Sequence, residues 1–241
     1  MADVTEIAPL WDFDDPAGSE RRFRAAAESA SGEERTIMLT QVARALGLQE
    51  RYDDGHALLG SLAPHSPEAT VRVGLERGRL LRSAGRPEEA RPLFEAAARA
   101  ARDAGLDALA VDALHMVALV VPPEEQLAVG EQALSLARGS DDPAARDWDA
   151  SVLNNIGMVH ADADDFEAAL GSFQEALAAR ERIGADGRTR EAWWMVAWAL
   201  RNLGRSEEAL AIQRRLRDEH EAAGTSDPYV DEELALLEGG E

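Results

Sequence analysis

The chain of 241 residues contains no cysteine and no lysine. Without thiols it has no disulfide framework, no thiolate nucleophile, no iron–sulfur cluster and no Cys-based zinc site. Aromatic residues make up only 5%, and no apolar run approaches the 18–20 or so residues that a membrane helix needs. Positive charge is scarce as well: 25 basic residues, all arginine, face 46 acidic ones, for a formal net charge of −21. A chain so anionic is repelled by nucleic-acid backbones and anionic membranes, so neither is expected as a partner. The opening Met1-Ala2-Asp3-Val4-Thr5-Glu6 lacks the basic and apolar regions of a signal peptide, and a cytoplasmic setting is expected. Arginine without lysine, together with 46 alanines, fits a GC-rich bacterial coding sequence and says nothing of function.

What the chain does have is internal repetition. Gly85-Arg86-Pro87-Glu88-Glu89-Ala90, Asp164-Asp165-Phe166-Glu167-Ala168-Ala169 and Gly204-Arg205-Ser206-Glu207-Glu208-Ala209 align without gaps. Each is a short turn followed by an amphipathic helix, and an earlier amphipathic stretch of about 14 residues precedes it. With Ile156-Gly157, Ala169, Phe173 and Ala176-Leu177 in one copy, and Gly78, Leu81, Gly85, Ala90, Phe94 and Ala97 in another, the pattern resembles the tetratricopeptide repeat, a 34-residue helix–turn–helix unit. The resemblance implies an all-α fold, a right-handed superhelical solenoid of about five repeats with helical caps at both ends. The repeats fall at 36–69, 71–104, 107–140, 150–183 and 190–223. An arm and capping helix occupy 1–35, a closing helix and tail 224–241, and the whole is read as one domain. The copy at 107–140 is the weakest, since Gly130 stands where an aromatic belongs and Pro122-Pro123 breaks the turn. In the last copy Gln213 replaces that aromatic.

The physics of the pattern is close packing. Small residues at positions 8 and 20 let paired helices approach, and large ones at 4, 11, 17 and 24 fill the gap between them. One hairpin cannot bury its apolar face, so stacking creates the core. Asp15-Pro16, Ser66-Pro67 and Asp142-Pro143 each place a capping residue before a proline at a helix start. Residues 16–30 are expected to form a cap with Phe23, Ala26 and Ala27 inward, and 228–238 a closing helix with Tyr229, Leu234 and Leu237 on one stripe.

In this family the first helix of each repeat lines a concave wall through positions 2, 5, 9 and 12. Twenty residues occupy those positions, and five are arginines, Arg44, Arg72, Arg79, Arg82 and Arg201, against one carboxylate, Glu191. The resemblance therefore implies a groove of positive or neutral potential, where a guanidinium fork grips a carboxylate in two places. The plainer alternative is arginine lying along its helix and pairing with neighbouring acids. His115 and Met158 share the wall. Trp194 and Trp198 lie four apart on one helical face, and two roles are open: an apolar anchor in the groove, or packing beneath the C-terminal cap. Trp193 is expected in the core. Asn154 and Asn155 suit a peptide backbone. The family's clamp for a terminal carboxylate is incomplete, since Val111, His115, Glu191 and Met195 occupy its other positions.

No constellation of nucleophile, base and metal ligands survives inspection, so the chain reads as no enzyme, with no cofactor and no metal. His115 beside Asp112 is a hydrogen-bonding group, and the acids after His160 cap the next helix. The expected function is a scaffold-type, protein-binding module that holds an acidic or C-terminal peptide in an Arg/Trp-lined groove. The alternative is a self-assembling unit, such as a homodimer, whose groove is filled by its own termini or a second copy. In that alternative the acidic, aromatic arm Leu10-Trp11-Asp12-Phe13-Asp14-Asp15 is a pseudo-ligand; otherwise it packs on the first helix.

Overall fold

The structure is a computed structural model that describes residues 7–184 and 186–239. The expected frayed tail therefore lies partly outside the described residues, as does the start of the arm. Among the described residues every regular element is helical. The chain falls into two compact units, Met1–Pro122 and Pro123–Glu241, each described by itself. Their boundary lies inside the stretch read as the third repeat.

In the first unit a single 3-10 turn, Ala8–Leu10, leads to α1 (Pro16–Ser29), α2 (Gly32–Leu48), α3 (Tyr52–Ser61), α4 (Pro67–Ser83), α5 (Pro87–Asp103) and α6 (Asp107–Ala118). Helices α2/α3 and α4/α5 are hairpins, α1 covers α2, and the first helices α2, α4 and α6 touch in sequence. The caps form as the sequence implies: the Asp15 side chain accepts from the Gly18 amide at 2.8 Å and Ser66 from Ala69 at 3.1 Å. Phe23 and Ala27 are buried against Met38, Val42 and Leu46, which seals the start of the core.

The second unit holds α7 (Pro123–Gly139), the one-turn α8 (Pro143–Arg146), α9 (Asp149–Asp162), α10 (Phe166–Ile183), α11 (Asp186–Asn202), α12 (Ser206–Ala222) and α13 (Pro228–Glu238). Helices α9/α10 and α11/α12 are hairpins, and α13 packs on both members of the second. Asp142 caps only the short α8, while Asp165 caps α10 by accepting from Ala168 at 3.1 Å. The closing helix turns differently from the expected stripe. Val230 and Leu234 are buried four residues apart, whereas Tyr229 is 65% exposed, because a spacing of five does not keep one helical face.

Close approach sets the hairpin geometry. A Cβ on Gly78 would lie 2.8 Å from Phe94 Cδ1, and one on Gly157 would lie 2.6 Å from Phe173 Cδ1, so only glycine fits beneath each fully buried ring. Between the helices of four hairpins one equivalent turn residue has a left-handed backbone: Glu50, Gly85, Asp164 and Gly204. Glycine adopts it without steric cost at two of them.

Candidate functional site

On the first-helix face of residues 7–122, arginines and acids meet in pairs. Arg79 on α4 donates to Glu76 one turn earlier and to Asp112 on α6 at 2.5 Å. All three side chains are nearly buried. Burial opposes charge on Asp112, but Arg79 and Arg44 outweigh it and hold that carboxyl below the usual range. His115, one turn along α6, is pushed down to about 4 by burial, with Arg79, Arg82 and Arg44 acting the same way against Asp112. It is therefore a neutral imidazole at pH 7. Arg72 pairs with Glu68 at 2.9 Å on its own helix, and Arg82 is exposed. Arg44 lies over the rings of Trp11 and Phe13, 5.6 and 5.7 Å from their centroids.

The acids Glu76 and Asp112 stand at position 6 of their repeats, beside the positions tallied for the wall. Gln41, Asn155 and Met195 occupy the same position elsewhere. That row was the signal for the missing partners: an arginine at position 9 lies one turn from an acid at position 6. Arg201 shows the same outcome through a different element. Glu233 on α13 holds it in two places, at 2.7 and 2.8 Å.

In residues 123–239 Trp194 and Trp198 have different surroundings. Trp198 packs edge-on to Phe166, with centroids 5.4 Å apart, and near Phe173, within the core that Met158 also touches. Trp193 joins the core with Arg215 over its ring at 4.9 Å. Trp194 stacks on Trp198 at 6.4 Å, meets Tyr229 edge-on, and lines a cavity of about 470 Å³. Asn154 from α9, Arg190, Glu191 and Met195 from α11, His220 from α12, and Asp227 at the start of α13 line it too. Asn155, the neighbour of Asn154, is half-buried. The sequence pointed to Trp194 and Asn154; Arg190 from α11, His220 from α12 and Tyr229 from α13 complete the lining, and none of them stands at positions 2, 5, 9 or 12. The cavity walls combine aromatic faces with amide, guanidinium and carboxylate groups. They can seat one apolar side chain beside a small number of polar contacts. Among the described residues no group of three or more His, Asp or Glu is placed to hold a metal ion.

Residues 148–218 match the family model of the tetratricopeptide repeat. No curated protein sequence matches the chain. Among solved structures it resembles BtubC (BKLC) from P. vanneervenii, at 16% identity and a TM-score of 0.64, over 93% of this chain and 94% of that one. It resembles the apo quorum sensor NprR from B. thuringiensis at 17% identity and a TM-score of 0.62, over 94% and 64%. It also resembles Bacillus thuringiensis PlcR in complex with the peptide PapR7 and DNA, at 13% identity and a TM-score of 0.57, over 89% and 82%. At these identities the likeness is one of fold. No helix among the described residues is long and apolar enough to cross a membrane.

Proposed function

We propose that this protein is a non-catalytic, bacterial and cytoplasmic interaction module that binds a peptide segment on its first-helix faces. The observation that carries the reading is the cavity of about 470 Å³ beside Trp194, lined by Asn154, Arg190 and Tyr229. PlcR, of the same fold, is known in complex with a peptide. An apolar side chain fits against the Trp194 indole, and Asn154 and Arg190 supply donors for an acidic or C-terminal carboxylate. Glu191 and Asp227 also line the cavity, so the ligand that suits it carries one such carboxylate rather than a run of them. Arg44, Arg72, Arg79, Arg82 and His115 shape the face of the first unit, and Asn155, Met158, Trp198 and Arg201 that of the second. Arg79 and Arg201 act there as positioning residues, since each is already held by a carboxylate.

Selection from a displayed peptide library tests the reading. Wild-type protein should enrich sequences that share an apolar residue beside a carboxylate, and Trp194→Ala should not. Binding should weaken with salt, because an exposed carboxylate contact is screened. No enrichment by the wild type, or equal enrichment by Trp194→Ala, contradicts it.

The self-assembly reading has one observation in its favour. The N-terminal arm lies on Arg44, a wall residue of the first unit.

A further inference from the structure

We infer that the segment Ile7 to Asp14 is a tethered occupant of the α2 face, and that this face accepts in trans a partner segment of the same chemistry: two aromatic side chains two residues apart, set among carboxylates. The inference deepens the peptide-binding reading and rests on it, naming the ligand class for the first unit.

Gln41 carries the argument. Its side chain is only 3% exposed, and its carbonyl oxygen accepts from the Trp11 indole N–H at 3.1 Å, while its amide donates to the Thr40 hydroxyl at 3.2 Å. A buried glutamine amide demands partners, and the arm's indole is the donor that meets this one. Trp11 then stacks on Phe13, centroids 4.8 Å apart and planes 3° from parallel, with the Arg44 guanidinium within 6 Å of both rings. A cation placed this way is attracted to the ring faces. Arg44 stands at position 9 of the first repeat, one of the positions that the resemblance assigns to the wall, and Gln41 at position 6 lies beside it.

The arm lies on the core without being one of its helices: Ile7, Leu10 and Trp11 pack against the cluster of Phe23, Met38 and Val42, with the Trp11 and Phe23 ring centroids 5.0 Å apart. It has one 3-10 turn and otherwise irregular backbone, and Phe13 is 46% exposed. Besides Gln41 it is held by Arg22, which donates to the Leu10 carbonyl at 2.9 Å, and by Ser19, which bonds the Asp12 backbone in both directions at 2.9 and 2.8 Å. Asp12, Asp14 and Asp15 are exposed around the aromatic pair. A one-residue link to α1 keeps the arm at an effective concentration in the millimolar range or above, so an external segment competes with it.

The test uses the full chain and a fluorescein-labelled synthetic peptide of residues 7–15. In the Trp11→Ala/Phe13→Ala variant the face is vacated, and fluorescence anisotropy should show the peptide binding at least about tenfold tighter than to wild type, where the tethered copy competes. Adding Gln41→Leu should remove that gain. Binding no tighter than to wild type by a variant with native circular dichroism overturns the inference. So does a variant that fails to fold, because the arm is then part of the core. A wild-type dimer that the double substitution dissociates also overturns it, by assigning the arm to a second copy. These outcomes are independent of peptide selection at Trp194, which reads another unit of the chain.

Discussion

The two hairpins of the second unit are built on one plan and end differently. In α9/α10, Gly157 lies beneath the fully buried Phe173, and the ring fills the space that the glycine leaves. In α11/α12 the equivalent positions are Ala197 and Gln213. Gln213 is just as buried, yet neither end of its amide has a hydrogen-bond partner, and the Trp194 indole N–H beside the cavity has none either. The first hairpin is optimised for packing, whereas the second carries unmet polar groups, of which the Trp194 indole N–H belongs to a residue that lines a cavity. Sequences tend to break local rules where function needs it, and the contrast favours the proposal that a ligand binds at α11–α13.

The sharpest way to break the comparison is to damage the well-packed hairpin. Phe173→Ala should cost about 3–5 kcal/mol, since a fully buried ring leaves a cavity, and urea unfolding monitored by circular dichroism measures it. A cost under about 1 kcal/mol would mean that the Gly157–Phe173 fit does not hold the hairpin.

Next in size is an electrostatic effect in the first unit, where Arg79 pairs with Glu76 and Asp112. His115 titrates at about 4 in the folded chain, below its ordinary value. The folded state therefore binds fewer protons than the unfolded one between about pH 6.5 and 4, and stability falls as pH is lowered through that window. A shift of that size corresponds to roughly 3 kcal/mol in all. His115→Gln should flatten the profile there, and an unchanged slope would refute the assignment.

The smallest effect has the opposite sign. Gln213→Leu removes two buried, unpartnered polar atoms at nearly constant volume, so it should stabilise the chain by about 1–2 kcal/mol. Destabilisation would show that the amide finds partners in solution and that the two hairpins are equivalent.

How far the sequence could be read follows from which interactions are local. Gly78 with Phe94, Gly157 with Phe173, and the caps at Asp15, Ser66 and Asp165 all depend on spacing within one hairpin or one turn, so they were legible. The fate of the arginines was not, because Arg79 meets Asp112 from the next repeat and Arg201 meets Glu233 from the closing helix. A tally over positions 2, 5, 9 and 12 omits both acids. Trp198 and Trp194 share a helical face, and only their neighbours separate them: Phe166 and Phe173 beside one, Tyr229 and Val230 of α13 beside the other. The division of the chain at Pro122 coincides with the repeat that matched its pattern least.

Peptide binding at Trp194 is the claim on which the functional account turns, and isothermal titration of a library-selected peptide into wild-type and Trp194→Ala protein addresses it directly. The account predicts saturable one-to-one binding to the wild type and a loss of at least 2 kcal/mol, about thirtyfold, on removing the indole. Equal affinity for the two proteins, with both folded, would contradict it.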